Sequence, residues 1–405
     1  MNTMSEDQRN TRSLERVRSG EVWREVLDAL EALESLVTDD EVPSSDQDRA
    51  EGWRYLLRFL GSGIRVTIPA GDPDYPEFTR MIENGMSWGL DNPDCNYSWA
   101  RVRGDASYRI SGHRGSARHL EFQVNTGHFG DGNVGGWRTV SSIHGRELQS
   151  DPDGGFEIIL SPQECDGNWM ALDSEASFVL LRQYMNDWEK ERPAEVCIER
   201  IGAEYPQPLL TPERLAARID ELVTWLSAGA RSWETMSKLI LATEPNAVTM
   251  TEPLSGNAGL RGQSYGLGHY TCAPGDAVIV EFAPPSCLMW SVALSGWFWE
   301  SMEFGGRQSS LNGSQAVLDS DGVFRGVIAH EDPGVWNWID PESHARGTVG
   351  IRFLFPESVP QPHFRTVAAS ALAHALPANT VRCSPAQRRE QLERRRRAVQ
   401  LRYRY

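Results

Sequence analysis

The chain has 405 residues and carries 40 Lys and Arg against 56 Asp and Glu, a formal net charge of −16 at pH 7. That balance opposes general nucleic-acid binding, because most of the surface repels a phosphate backbone. With 40% hydrophobic and 24% charged residues, the composition excludes long disorder and suits two domains plus helical additions.

The longest apolar stretches, such as 288–294 and 349–355, are too short to span a bilayer. Residues 1–18 hold no apolar run of the kind a secretory leader needs. Six cysteines without a CxxC pair suggest neither a disulfide framework nor a zinc ribbon, so a reducing cytoplasm is the expected compartment. Fourteen tryptophans are many for this length. Clustered Trp lines pockets for sugars or flat apolar ligands, and large β-sandwich cores use it too.

In chain order, residues 1–85 read as a helical region. Val22, Val26, Leu27, Leu30 and Leu33 share one face of a helix over 21–37. A second helix over 50–60 is expected to stop at Gly61-Ser62-Gly63. Loop and a short helix follow over 69–84. From 97 the texture changes to short strands, at 107–110, 120–124, 156–160 and 178–184. A helical connector occupies 206–245, where Thr211 caps a helix with Pro212 in its first turn. Strand texture returns from 265 to 355. The segment 361–405 is expected to be a helical, Arg-rich tail starting at Ser384-Pro385, with eight arginines from Arg388 on. It suits either an anionic partner (RNA or a membrane surface) or a helix docked on the acidic body.

The two β regions share an ordered set of landmarks. Gly104-Asp105-Ala106 matches Gly275-Asp276-Ala277, and the turn from Asp151 to Phe156 matches Asp319 to Phe324. Asn168-Trp169 matches Asn337-Trp338, and the strand from Val179 to Tyr184 matches Val349 to Leu354. The offsets are 171, 168, 169 and 170 positions. The predicted fold is therefore mainly β with added helices: two jelly-roll-like antiparallel β-sandwich halves, at 86–205 and 246–360, from an internal duplication. Arg182 and Arg352 recur at equivalent strand positions and read as residues of the fold.

Chemistry concentrates in the second half. Trp299-Glu300-Ser301, then Arg307-Gln308-Ser309-Ser310-Leu311-Asn312, Asp321-Gly322, Ile328-Ala329-His330, Asp332-Pro333-Gly334 and Asn337-Trp338 follow one another over roughly 265–355. This series resembles the bacterial family catalogued as domain of unknown function 1214. Residues 97–205 look like the amino-terminal half that accompanies it. The resemblance implies a jelly-roll fold and a bacterial origin, and it brings no established reaction. Trp336 stands where a smaller residue is expected before Asn-Trp, which implies a bulkier pocket rim.

The first half has no counterpart of most of these residues. Its equivalent stretch, 126–132, is nearly all small. A pocket walled by the second half is therefore expected. Glu303, Asp332 and His330 are the candidate acid–base residues, since a carboxyl beside tryptophans can be held protonated. Trp299, Glu300, Arg307, Asn312, Asn337 and Trp338 are the candidate substrate-binding residues. Structural roles compete with these: Arg307 could pair with Glu303, Asp332 could cap the Pro333-Gly334 turn, and the whole set could form an interface. The absence of HxH, HExxH, GxSxG and P-loop patterns points to no metal and no cofactor. The expectation is an enzyme acting on a small bacterial metabolite by hydrolysis or elimination. The alternative is a non-catalytic sandwich that binds a carbohydrate or hydrophobic ligand. A homo-oligomer is expected from the amphipathic helices at both ends.

Overall fold

The computed structural model describes residues 5–403 except 129, 132–136 and 256–258, so part of the stretch 126–132 lies outside the described residues. Strand periodicity in the first β region gives nine strands: β1 (Thr79–Ile82), β2 (Cys95–Arg101), β3 (Tyr108–His113), β4 (His119–Thr126), β5 (Thr139–His144), β6 (Gly155–Ser161), β7 (Trp169–Ala171), β8 (Ala176–Tyr184) and β9 (Glu195–Arg200). The second region gives β10 (Ala247–Met250), β11 (Gln263–Thr271), β12 (Asp276–Phe282), β13 (Met289–Ser295), β14 (Ser310–Asn312), β15 (Phe324–Ala329), β16 (Trp338–Ile339), β17 (Arg346–Leu354) and β18 (His363–Ala368).

The two halves match strand for strand. Their large sheets run β1-β2-β8-β4-β5 and β10-β11-β17-β13-β14. Their small sheets run β7-β6-β3-β9 and β16-β15-β12-β18. Register agrees as well: Tyr97 and Glu121 flank Arg182 as Tyr265 and Ser291 flank Arg352. The Asp-Gly turns coincide, with Gly154 at φ 92° and Gly322 at φ 77°, a region that favours glycine. In both turns the aspartate carboxylate accepts the amide two residues on, at 3.2 Å for Asp153 and 3.1 Å for Asp321. Each half is thus a jelly-roll-like sandwich, and the duplication extends to side-chain hydrogen bonds.

Alternation decides which face each residue takes. In the first half Leu120, Phe122, Val124, Val179 and Leu181 of the large sheet pack on Ile110, Ile158 and Leu160 of the small one. In the second, Val292, Leu294, Val349, Ile351 and Phe353 pack on Val278, Val280 and Ile328. The opposite face of each large sheet looks away from its own sandwich and needs another cover.

Helices supply part of it. The N-terminal region holds α1 (Glu6–Ser19), α2 (Glu21–Glu31), α3 (Ser35–Thr38) and α4 (Asp46–Thr67). The expected stop at Gly61-Ser62-Gly63 is absent, and α4 runs through it. A Cβ on Gly63 would meet the Trp225 ring at 2.6 Å, so the glycine serves close packing rather than termination. Between the halves, α5 (Pro212–Thr224) and α6 (Ala230–Leu241) join through one π-type turn that carries Trp225. The segment 69–84, expected as loop and helix, instead contributes strand β1. Strand β18 likewise falls in the segment expected to be helical; its pairing with β12 completes the second small sheet.

After α7 (Leu372–Ala375), the tail forms α8 (Pro385–Arg402), docked on the body. Arg388, Arg395 and Arg402, spaced by seven, are all buried. Arg388 pairs with Asp332 at 2.9 Å, and Arg395 lies 4.4 Å from the Trp188 ring centroid. Among the described residues no helix is long and apolar enough to cross a membrane.

Asn168 and Asn337 test the duplication. Asn168 accepts from the Gln149 amide and donates to the Gln149 and Glu157 carbonyls. Asn337 does the same with Val317 and Arg325, each 168 positions later than its counterpart. Removing either amide leaves three backbone groups unpaired. Asn337→Ala is expected to cost about 3 kcal/mol and the more exposed Asn168→Ala about 2 kcal/mol. Urea unfolding measures both; a cost below about 0.5 kcal/mol at either site contradicts the shared role.

Candidate functional site

The nine residues singled out from the sequence do not form one site. Glu300 is buried and paired at 3.1 Å with both Arg54 and Arg58 of α4. Glu303 accepts the Gly305 and Gly306 amides, both at 2.9 Å. Arg307 pairs with Asp340 at 2.7 Å rather than with Glu303. Asn312 reaches into the first half, donating to Asp94 at 2.6 Å and to the Asn186 carbonyl at 3.0 Å. His330 meets the Cys272 carbonyl at 2.7 Å through Nε2. Asp332 accepts the Gly334 amide and the Arg388 guanidinium, both at 2.9 Å. Asn337 holds its turn, and Trp338 donates to the Ala329 carbonyl at 2.8 Å beneath Arg388. Each of these eight is committed to a fold contact. Trp299 alone borders the cavity described next.

That cavity, of about 440 Å³, lies between the outward faces of the two large sheets. Arg182 and Tyr184 reach it from β8, Tyr97 from β2, Gln263 and Tyr265 from β11, and Arg352 from β17. Trp88, Trp137, Trp233 and Trp299 enclose it with Leu90 and Asp91. Four indoles on one wall account for part of the high tryptophan content. The site therefore belongs to both halves, whereas a pocket of the second half alone was expected.

Its polar equipment is cationic. Arg352 is 5% exposed and sits on the central strand of its sheet. Its Nη2 donates to the Leu90 carbonyl at 2.8 Å, while Nη1 has no partner among the described residues. Gln263 Nε2 and the indole N–H groups of Trp233 and Trp299 are likewise buried without partners. Arg182, the counterpart of Arg352, is half-buried and donates to Gln123 at 2.9 Å. Asp91 is the wall's carboxylate, and Ser87 and Ser301 occupy its oxygens. Burial raises the Asp91 carboxyl, against the pull of those hydrogen bonds and of Arg352.

Backbone strain marks the rim. Leu90 at φ 52° and Trp299 at φ 58° both adopt the left-handed region, and the Leu90 amide donates to the Trp299 carbonyl at 2.7 Å. Such conformations cost about 1–3 kcal/mol in a non-glycine residue and persist where the surroundings enforce them. The strained pair fixes the carbonyl that Arg352 grips and the indole beside it.

No family profile matches the chain, and no curated protein matches it significantly. Among solved structures, an uncharacterised protein from Burkholderia cenocepacia is similar at 26% identity and TM-score 0.83, covering 88% of this chain and 99% of that one. A protein from Vibrio parahaemolyticus follows at 13% identity and TM-score 0.43, covering 77% and 97%, too distant to carry an argument. The first likeness supports the two-half sandwich over most of the chain. No cluster of three His, Cys, Asp or Glu side chains suited to a metal ion occurs among the described residues.

Beside the cavity's Arg182, Glu121 is fully buried and forms no side-chain hydrogen bond or ion pair among the described residues. Burial pushes its carboxyl up to about 7, with Arg182 and Arg261 opposing. A raised folded-state pKa gives stability that is full at low pH and lost as pH rises through it. Glu121→Gln cannot charge, so it should gain on the wild type between pH 5 and 8. The gain approaches about 3 kcal/mol, at 1.36 kcal/mol per unit. Thermal unfolding of both proteins across that range checks it; a constant difference contradicts it.

Proposed function

We propose that this chain binds a small molecule with a flat apolar body and an anionic end, in the cavity between its two halves. What supports this is Arg352: a buried guanidinium with an unpartnered N–H, at the wall of an aromatic-lined cavity. Buried donors are normally satisfied, and an orphan cation is costly unless an acceptor arrives. A carboxylate meets a guanidinium through paired hydrogen bonds, and indole rings stack on a flat body.

Hydrolysis or elimination by Glu303, Asp332 and His330 was the other reading. None of the three borders the cavity, and each is engaged locally. Asp91 is the carboxylate available at the wall, and its oxygens already accept three hydrogen bonds. Binding is therefore the better-supported function. A reducing cytoplasm suits the six free thiols, and the exposed Trp23, Leu57 and Leu239 favour an oligomer that light scattering would size.

Titration with 2-naphthoate, followed by tryptophan fluorescence and calorimetry, tests the proposal. Arg352→Gln should weaken binding at least about tenfold, since one charge-assisted hydrogen bond contributes about 1.5–3 kcal/mol. The neutral 2-naphthamide should bind the wild type no better than the acid binds the variant. No binding at millimolar naphthoate, or an unchanged affinity in a folded Arg352→Gln protein, overturns it.

A further inference from the structure

The same cavity has a second cation at the equivalent place in the other half, and this extends the reading above, on which it rests. We infer that the ligand is a dianion, an apolar body carrying a carboxylate at each of two ends, held between Arg182 and Arg352.

The duplication puts these arginines there. Arg182 lies on β8 and Arg352 on β17, each the central strand of its five-stranded sheet, and both line one cavity. Each is flanked in register by a tyrosine of its own sheet, Tyr97 or Tyr265, that also lines the cavity. The pairs interact across the gap. The charge of Arg352 reaches Tyr97 of the other half, and Tyr265 shares the cavity with Arg182. The two cationic ends are therefore parts of one enclosure.

Neither arginine is held in an ion pair. Other partly buried arginines of this chain mostly meet carboxylates: Arg16 with Glu25 and Asp220, Arg325 with Glu281 and Asp319, Arg388 with Asp332. Arg182 and Arg352 form no ion pair within 4.0 Å among the described residues, and they donate to Gln123 and the Leu90 carbonyl. Glu121 lies opposite Arg182 in the sheet and acts on it by charge, without a hydrogen bond between the two side chains. Two guanidinium groups at one cavity meet only two carboxyl groups, Asp91 beside Arg352 and Glu121 beside Arg182, and burial raises both of these toward their neutral forms, which leaves the positive charge incompletely balanced. A ligand with two negative ends supplies it. The aromatic side chains between the ends suit an apolar spacer rather than a polyol.

The inference separates from the simpler reading by comparing 2-naphthoate with 2,6-naphthalenedicarboxylate on the wild type, Arg182→Gln and Arg352→Gln. Circular dichroism checks that each protein is folded. The diacid should bind the wild type at least about tenfold more tightly than the monoacid. Either substitution should bring the diacid down to the monoacid's affinity. Equal affinity of the two acids for the wild type overturns the dianion and leaves the single-anion site standing. Binding of neither acid overturns both. If a Gln variant fails to fold, Arg182→Lys and Arg352→Lys replace it, and the wild-type comparison decides by itself.

Discussion

A sheet has two faces, and in this chain both faces of each large sheet must be covered. The sandwich inside each half covers one. The other carries Trp99, Phe178 and Leu180 in the first half and the Gln263, Tyr265 and Leu267 row in the second, and neither set can face water freely. Bringing the two faces together, with α4, α5 and α6 filling the edges, removes that apolar area from solvent. The same act buries polar groups. Some are satisfied across the junction, as where Asn312 donates to Asp94, which also accepts from Trp188 of its own half. Others are left over at the cavity, and the proposed ligand is what would satisfy them.

The asymmetry between the halves has a structural cause. Residues present in the second half alone were expected to be chemical, because folding should need only what both halves share. The structure gives most of them a different task. Glu300 anchors α4 through Arg54 and Arg58, Asp332 anchors α8 through Arg388, and Asn312 ties the second half to the first. The side chains that receive α4 and α8 on the second half are therefore unpaired in the repeat.

The duplicated fold was legible because turns and register leave local marks. Asp-Gly with positive φ, Asn-Trp and a strand arginine recur at nearly constant spacing, and each mark proved to be a specific hydrogen bond or register pair. Helix starts at Thr211 and Ser384 were legible for the same reason, since a capping side chain acts within one turn. The run of α4 through Gly61 and Gly63 was not, because the reason for the glycine is Trp225, far away in sequence. The cavity was hidden for a related reason. Its polar groups sit at 91, 182, 263 and 352, joined only by the packing of two sheets. Arg182 and Arg352 read from the sequence as residues of the fold because they recur. Recurrence is also what a site built between two copies would produce, and that possibility is the signal that could have found them.

The central claim is that the functional site lies between the halves, and a crystal structure of the chain grown with 2,6-naphthalenedicarboxylate tests it most directly. The account predicts electron density for the diacid in the cavity, one carboxylate against Arg352 and the other against Arg182, with the ring among the indoles. Density confined to another place, such as the cleft of about 400 Å³ beneath α8 bordered by Trp188 and Trp336, with the inter-half cavity holding only solvent, would contradict it.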